Sequence, residues 1–220
     1  MKRMMIAMIA LTFTLSVHAQ KKFEGSVTYG IEYKDLPAEM AAMEAMLPDE
    51  MTIRIKGDKS RIEQSMGMGM SQIVISDAKT ESGILLMDMM GKKTAIEMSK
   101  EELEKLNAKK KENEPKIEYL DGSKEIAGYK CKKARILTGA SGSIDVYYTD
   151  ELPASAHKEF EGLKGFPLEY SVNSGPMNMI MSATNVTKEK LDKTLFDIPE
   201  GYEKQSFDEF QKSMQGMMGG

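Results

Sequence analysis

Alternation of apolar and polar residues recurs along almost the whole chain, and it is the feature that most restricts the fold. In the segment 23–33, Val27, Tyr29, Ile31 and Tyr33 fall at every second position, the pattern of a half-buried strand. Similar segments follow at 51–56, 59–64, 71–76, 84–90, 93–98, 116–120, 129–137, 143–148, 168–172 and 177–185. Because short turns join most of them, we expect an antiparallel meander of about ten strands, curled into a half-open β-barrel.

Four stretches with helical spacing interrupt the strands. The first, 36–47, carries an apolar stripe made of Leu36, Met40, Met43 and Leu47. Two capping boxes, Ser99–Glu102 and Ser206–Glu209, mark the starts of two more helices, and a shorter helix is expected at 155–163 with its apolar residues inward. Amphipathic helices of this kind predict a lid over the sheet and an α+β fold class.

The N-terminus has the features of an export signal. Lys2 and Arg3 precede an apolar run at 4–15, and the small residues Val17 and Ala19 follow it. We therefore expect a signal peptide at 1–19 and a single mature domain at 20–220. The apolar run is too short for a spanning helix, and no later run approaches the roughly 20 residues needed, so the mature protein is predicted to have no transmembrane helix. The expected location is the periplasm or, beyond it, the outside of the cell.

Composition excludes several function classes. A formal net charge of −4 argues against nucleic-acid binding. His18 falls within the predicted signal peptide, so the mature chain keeps one Cys and one His and cannot build a multi-histidine metal site. No zinc-protease, phosphate-loop, dinucleotide or nucleophile-elbow motif occurs. We therefore predict a protein that is not an enzyme and needs no cofactor. Cys131 lies in an alternating segment and is expected to be a buried, inert thiol, with a catalytic pairing to His157 as the alternative.

Methionine is unusually frequent, with 21 in 220 residues, and many of these residues alternate along the chain. The alternating rows are Met66/Met68/Met70, Met87/Met89 and Met177/Met179/Met181. In a strand, each row would point to one face. If the rows share a face with the first helix, they line a deformable apolar cavity, because thioether side chains are long, unbranched and polarisable. The predicted ligand-binding residues are Met40, Met43, Met66, Met68, Met70, Met87, Met89, Met177, Met179 and Met181.

Two other interpretations of the methionines stay open. They can simply fill a core, which would make the protein a structural component of the envelope. Alternatively, thioethers spaced two apart can gather around a soft ion such as Cu(I). The residues that would bind it are Met66, Met68, Met70, Met177, Met179 and Met181. A carrier of a hydrophobic guest, a soft-metal protein and a structural protein are therefore the three candidate classes.

Four segments, 126–132, 145–149, 165–170 and 196–202, resemble a family of exported proteins known as domain of unknown function 4412. That family is distantly similar to the lipoprotein-carrier (LolA/LolB-like) superfamily. The resemblance implies a half-open antiparallel barrel with helices as a lid over an apolar cavity, and no catalytic residue. The predicted partners are a hydrophobic small molecule or a lipid-modified protein, and an envelope protein.

Overall fold

Strands dominate the structure, a computed structural model that describes residues 23–34, 36, 44–107, 116–137, 142–153, 160, 162–174 and 177–218. The strands are β1 (Glu24–Lys34), β2 (Glu50–Lys56), β3 (Lys59–Met66), β4 (Met70–Asp77), β5 (Ser82–Met89), β6 (Lys92–Met98), β7 (Lys116–Ile126), β8 (Tyr129–Leu137), β9 (Ser143–Thr149), β10 (Phe166–Ser174), β11 (Met177–Lys188) and β12 (Glu203–Ser206). The helices are α1 (Lys100–Asn107) and α2 (Phe207–Met218), and short 3₁₀ turns cover Glu44–Met46, Gly67–Gly69 and Lys193–Phe196. The predicted signal peptide lies outside the described residues.

All the described strands belong to one open sheet, in the order β12-β6-β5-β4-β3-β2-β1-β11-β10-β9-β8-β7. Two meanders, β1 to β6 and β7 to β11, are joined where β1 pairs with β11, and β12 adds a parallel strand beside β6. The sheet curls, since Lys124 on β7 forms an ion pair with Glu169 on β10 although β8 and β9 lie between them.

The observed class corrects the prediction in two respects. The curved, open sheet is as expected, but the described residues are mostly β rather than α+β, and they form twelve strands rather than about ten. The additional strand, β12, is only four residues long, and its sequence Glu-Lys-Gln-Ser has no apolar alternation. It is held by its pairing with β6 rather than by an apolar face of its own.

The two faces of the sheet carry separate apolar clusters. We call the face that bears Val27, Tyr29 and Ile53 the core face; on it a large cluster buries side chains of β1, β2 and β8 to β11. On the opposite face, Ile75 and Leu86 pack with residues of the segment 191–202. Burial at this scale accounts for most of the favourable free energy of folding.

The predicted helix starts are confirmed at both capping boxes. The Ser99 amide donates to Glu102 Oε2 at 2.7 Å, and the Glu102 amide donates back to Ser99 Oγ at 3.3 Å. Ser206 and Glu209 repeat the same exchange at the start of α2. Each box satisfies amide groups that the first helical turn leaves without a backbone partner.

The two other predicted helices fall largely outside the described residues. Of the segment 36–47, residues 37–43 are not described, and Glu44–Met46 forms a 3₁₀ turn. Within 155–163, the structure describes residues 160, 162 and 163. Phe160 and Leu163 are buried, as expected for its apolar residues.

A buried arginine fastens the segment 191–202 to the sheet. Arg61 on β3 donates from Nη1 to the Leu195 carbonyl at 2.7 Å and pairs with Glu63, which also pairs with Arg54. Burial alone would raise the pKa of Glu63, but the hydrogen bonds from Arg61 and Arg54 outweigh it and lower that pKa. The Arg61 guanidinium therefore joins two elements in a position shielded from water.

Arg61→Met is expected to lower the free energy of unfolding by about 1–3 kcal/mol, because it leaves the Leu195 carbonyl and part of Glu63 without a donor. The thioether side chain keeps the apolar stem, so packing loss contributes little. Urea unfolding measures the change. Lys193→Met, on the exposed side of the same segment, is the control and should fall within about 0.5 kcal/mol of wild type. Equal losses in the two variants would contradict the role of Arg61.

Cys131 is fully buried, as the alternation of its segment predicts. Burial raises the pKa of its thiol to about 11, so the thiol stays protonated and is a poor nucleophile near neutral pH. His157, the alternative catalytic partner, lies outside the described residues.

The native protein is therefore expected to be almost inert to a thiol-specific disulfide reagent at pH 8, where roughly a thousandth of a thiol with this pKa is ionised. Unfolding in urea should release the full reaction. Because burial raises the pKa of the thiol in the folded state, the thiol ionises at a lower pH in the unfolded state. The free energy of unfolding therefore falls as the pH rises from the thiol pKa of the unfolded state towards 11. Rapid labelling of the native protein would contradict the burial.

Candidate ligand-binding face

Strand register connects the core of β1 to the methionines of β5. Tyr29 lies opposite Met51, Met51 opposite Gln64, Gln64 opposite Gln72, and Gln72 opposite Met87. Directly opposed residues in neighbouring antiparallel strands point to the same side of a sheet. Met87 therefore lies on the core face with Tyr29.

Strand register also places most of the predicted methionines on this face. On β11, Met181 is opposite Ile31 and Met179 is opposite Tyr33, while Met66 and Met70 oppose each other across the β3–β4 hairpin. Residues two apart in a strand share a face. The predicted site residues on the core face are Met66, Met70, Met87, Met89, Met177, Met179 and Met181.

The expectation that Met66, Met68 and Met70 form one row in a strand is wrong. Gly67 and Gly69 end β3 and form a turn before β4 begins, so Met66 and Met70 belong to different strands. Met68 sits at the tip of that turn with a left-handed backbone (φ 64°) and is 63% exposed. Met40 and Met43 lie outside the described residues.

Burial divides the core-face methionines into two groups. Met181 is 4% exposed and is part of the packed core, as is Met51, so core filling describes these two residues correctly. Met66, Met70, Met87, Met177 and Met179 are only half-buried. The second group is the one available to contact a ligand.

Three rows of half-buried side chains cross strands β3 to β5, and we call them together the β3–β5 patch. Its rows are Ile62 with Val74 and Leu85, then Gln64 with Gln72 and Met87, then Met66 with Met70. The spacing of the methionines gives no sign of the apolar and amide members. The alternation of β3 to β5 contains the signal that would have found them.

Neighbouring segments cover the patch at both of its ends. At one end, α1 covers Gly83 of β5, where Leu103 Cδ1 lies 3.6 Å from the position of an added Cβ. At the other end, the link between β1 and β2 packs on the β3–β4 turn so closely that a Cβ on Gly67 would be 2.5 Å from the Ala45 carbonyl oxygen. Tyr33 anchors this link by donating to the Pro48 carbonyl at 2.7 Å.

Tyr33 stays neutral at physiological pH. Burial, with a smaller effect from the Asp49 carboxylate, raises the pKa of its hydroxyl.

Every side chain of the patch is uncharged, so the candidate site offers thioethers, aliphatic groups and two amides. A surface of this kind can bind an apolar molecule and orient it by a few polar contacts.

The opposite face differs in chemistry. A cleft of about 490 Å³ lies between the sheet and the segment 196–202, and charged side chains line much of it: Lys59, Asp77, Glu97, Asp197, Glu200 and Lys204.

Within the described part of the chain, no group of His, Cys, Asp and Glu is arranged to hold a metal ion. None of the described helices is both long and apolar enough to cross a bilayer.

Residues 23–157 match the model of a domain of unknown function, DUF4412. The chain belongs to the DUF4412 family. The predicted membership is thus confirmed, and the DUF4412 match includes the whole β3–β5 patch but not the methionines of β11. Among curated protein sequences, none matches this DUF4412 chain significantly.

Solved structures similar to this DUF4412 chain include PNGF-II, with a TM-score of 0.52 and 16% identity over 87% of the chain. The chain spans about a third of the length of PNGF-II, 33%, and at this identity the likeness concerns the fold. An uncharacterized conserved protein from Thermus thermophilus matches with a TM-score of 0.48 and 8% identity, over 83% of this chain and 91% of its own. The lipoprotein LppX of Mycobacterium tuberculosis has a TM-score of 0.41 and 8% identity, over 77% of this chain and 89% of its own.

Proposed function

We propose that this DUF4412 protein is exported to the periplasm and binds a hydrophobic molecule, a lipid or the lipid of a modified protein, without catalysing a reaction. The observation that carries the proposal is the β3–β5 patch, a half-buried surface free of charge at the methionine-rich end of the core face. Apolar side chains that cluster on a surface and stay partly accessible mark a site for a ligand or partner.

Thioethers suit a guest of variable shape. Met66, Met70 and Met87 can change rotamer at little cost, so the patch adapts to different apolar chains. Gln64 and Gln72 are opposite each other at its centre and would hydrogen-bond a polar head or an ester group. Binding of this kind makes and breaks no covalent bond.

Access to the patch would require movement of the segments that cover its ends. The link between β1 and β2 is held on the β3–β4 turn by the close approach at Gly67 and by the Tyr33 hydrogen bond. Opening of these contacts would admit the guest and their re-formation would enclose it, as expected when a ligand selects an open conformer. Met40 and Met43 belong to this link and would contribute to the same site.

Strand order disfavours the soft-metal site that the sequence suggested. Met66 on β3 and Met179 on β11 are separated by β2 and β1, which is about 14 Å along the sheet. Thioethers this far apart would not share one ion. The structural interpretation remains the direct competitor of the hydrophobic-guest proposal.

Native mass spectrometry of the mature protein, purified from its own exported fraction without detergent or chelator, tests the proposal. The expected result is a discrete organic adduct that is released by mild activation and identified as a lipid or other apolar molecule. Protein that carries no adduct, and that also fails to take up added palmitate, would favour the structural interpretation. The mature mass would test the predicted cleavage after Ala19 in the same experiment.

A further inference from the structure

Three methionines from three neighbouring strands come together at one end of the sheet. Met66 and Met70 are opposite each other on β3 and β4. Ser71 is paired with Asp88, which brings Met70 beside Met89 at the adjoining ends of β4 and β5. All three lie on the core face, and each Cα is about 5 Å from the next. We call them the thioether row.

Two further methionines occupy the turns next to this row. Met68 has φ 64° and precedes Gly69 with φ 71°, and Met90 has φ 58° and precedes Gly91 with φ 94°. Met68 is 63% exposed and Met90 is 72% exposed. Turns of this conformation prefer Asn or Gly at the first left-handed position, and another residue there costs about 1 kcal/mol. Both turns are therefore destabilised by about this amount, and each leaves its methionine side chain exposed to water.

On the described strands β3 to β5, the core-face side chains next to the row are Gln64, Gln72 and Met87, none of which is charged. The Asp88 carboxylate lies on the opposite face and accepts the Gly91 amide at 2.7 Å. On β6, Lys92 is opposite Met89 and Lys93 is opposite Asp88, and a lysine ammonium group has no lone pair with which to bind a cation. Thioether sulfur binds the soft monovalent ion Cu(I), whereas Mg²⁺ and Ca²⁺ prefer oxygen ligands.

We propose that Met66, Met70 and Met89, completed by Met68 or Met90 from the turns, bind a single soft monovalent cation, Cu(I) or its chemical analogue Ag(I). A methionine side chain has three rotatable bonds, so side chains on neighbouring strands can converge on one ion above Met70. The site goes beyond the proposed guest binding: it uses the rim of the patch, shares Met66 and Met70 with it, and does not depend on a guest.

Titration with Ag(I), followed by calorimetry and native mass spectrometry, tests this site. All proteins carry Cys131→Ala so that the thiol does not contribute. The variant Met66→Leu/Met70→Leu/Met89→Leu removes the row, and Met177→Leu/Met179→Leu/Met181→Leu is the matched control on β11. We expect one tight Ag(I) in the parent, at least about 30-fold weaker binding in the row variant, and less than about threefold change in the control.

Met89 lies outside the β3–β5 patch and is 50% exposed, so Met89→Leu separates this site from the proposed function and also serves if the triple variant fails to fold. It should weaken Ag(I) about tenfold, while a fluorescent apolar probe, 1-N-phenylnaphthylamine, binds it as it binds the parent. Equal Ag(I) affinity in row and control variants, or no stoichiometric Ag(I) in the parent, would overturn the proposal.

Discussion

Met87→Glu is expected to weaken the binding of 1-N-phenylnaphthylamine by more than about 100-fold while the protein stays folded. Met87 lies on the core face beside Gln72 in the middle row of the β3–β5 patch, where it is half-buried. A carboxylate at this position keeps its hydration in the empty protein but loses it beneath an apolar guest, which costs several kcal/mol. Probe fluorescence gives the affinity, and circular dichroism with thermal melting confirms the fold.

Met90→Glu is the matched control for this substitution. It introduces the same charge in the turn between β5 and β6, at a side chain that is 72% exposed. The carboxylate there stays hydrated when the probe binds. We expect probe affinity within about threefold of wild type. If Met87→Glu and Met90→Glu bind the probe equally well, the guest does not lie over β5 and the site is placed wrongly.

Gly67→Val is expected to detach the link between β1 and β2 from the β3–β4 turn. An added Cβ would lie 2.5 Å from the Ala45 carbonyl oxygen and 2.8 Å from the Met46 Cα, both of them backbone atoms that cannot rotate away. If that link encloses the guest, its displacement opens the patch. We expect probe dissociation to accelerate by about tenfold or more, with a smaller change in the association rate.

Gly30→Ala is the corresponding control. A methyl group there meets Thr184 Cγ2 at 3.4 Å and the Ser182 carbonyl oxygen at 4.0 Å, ordinary contacts on the opposite face. Stopped-flow fluorescence should give its dissociation rate within about twofold of wild type. An unchanged rate in Gly67→Val would mean that the link does not retain the guest.

Most of the strands could be predicted because each carries its own alternation. The segments at 51–56, 59–64 and 129–137, for example, agree closely with β2, β3 and β8. The order of the strands was not available from this signal. The pairing of β1 with β11 joins residues about 150 positions apart, and periodicity contains no information on partners.

The candidate site was predictable in part for the same reason. Alternation correctly placed Met179 and Met181 on one face, but Met181 lies between Ile31 and Tyr170 in the packed core, whereas Met179 is half-buried. Which part of a face is covered depends on distant segments. The prediction that Met66, Met68 and Met70 share one strand was wrong because the glycines on both sides of Met68 allow the left-handed turn that ends β3.

Methyl NMR of protein labelled at the methionine methyl groups tests the central claim most directly, because it reports each thioether separately as 1-N-phenylnaphthylamine is added. Resonances are assigned by single Met→Leu substitutions. We predict that Met66, Met70 and Met87 shift on saturation, while the core residue Met51 keeps its position. Saturation that shifts only the exposed Met68 and Met90, or no methionine at all, would contradict a guest site on the core face.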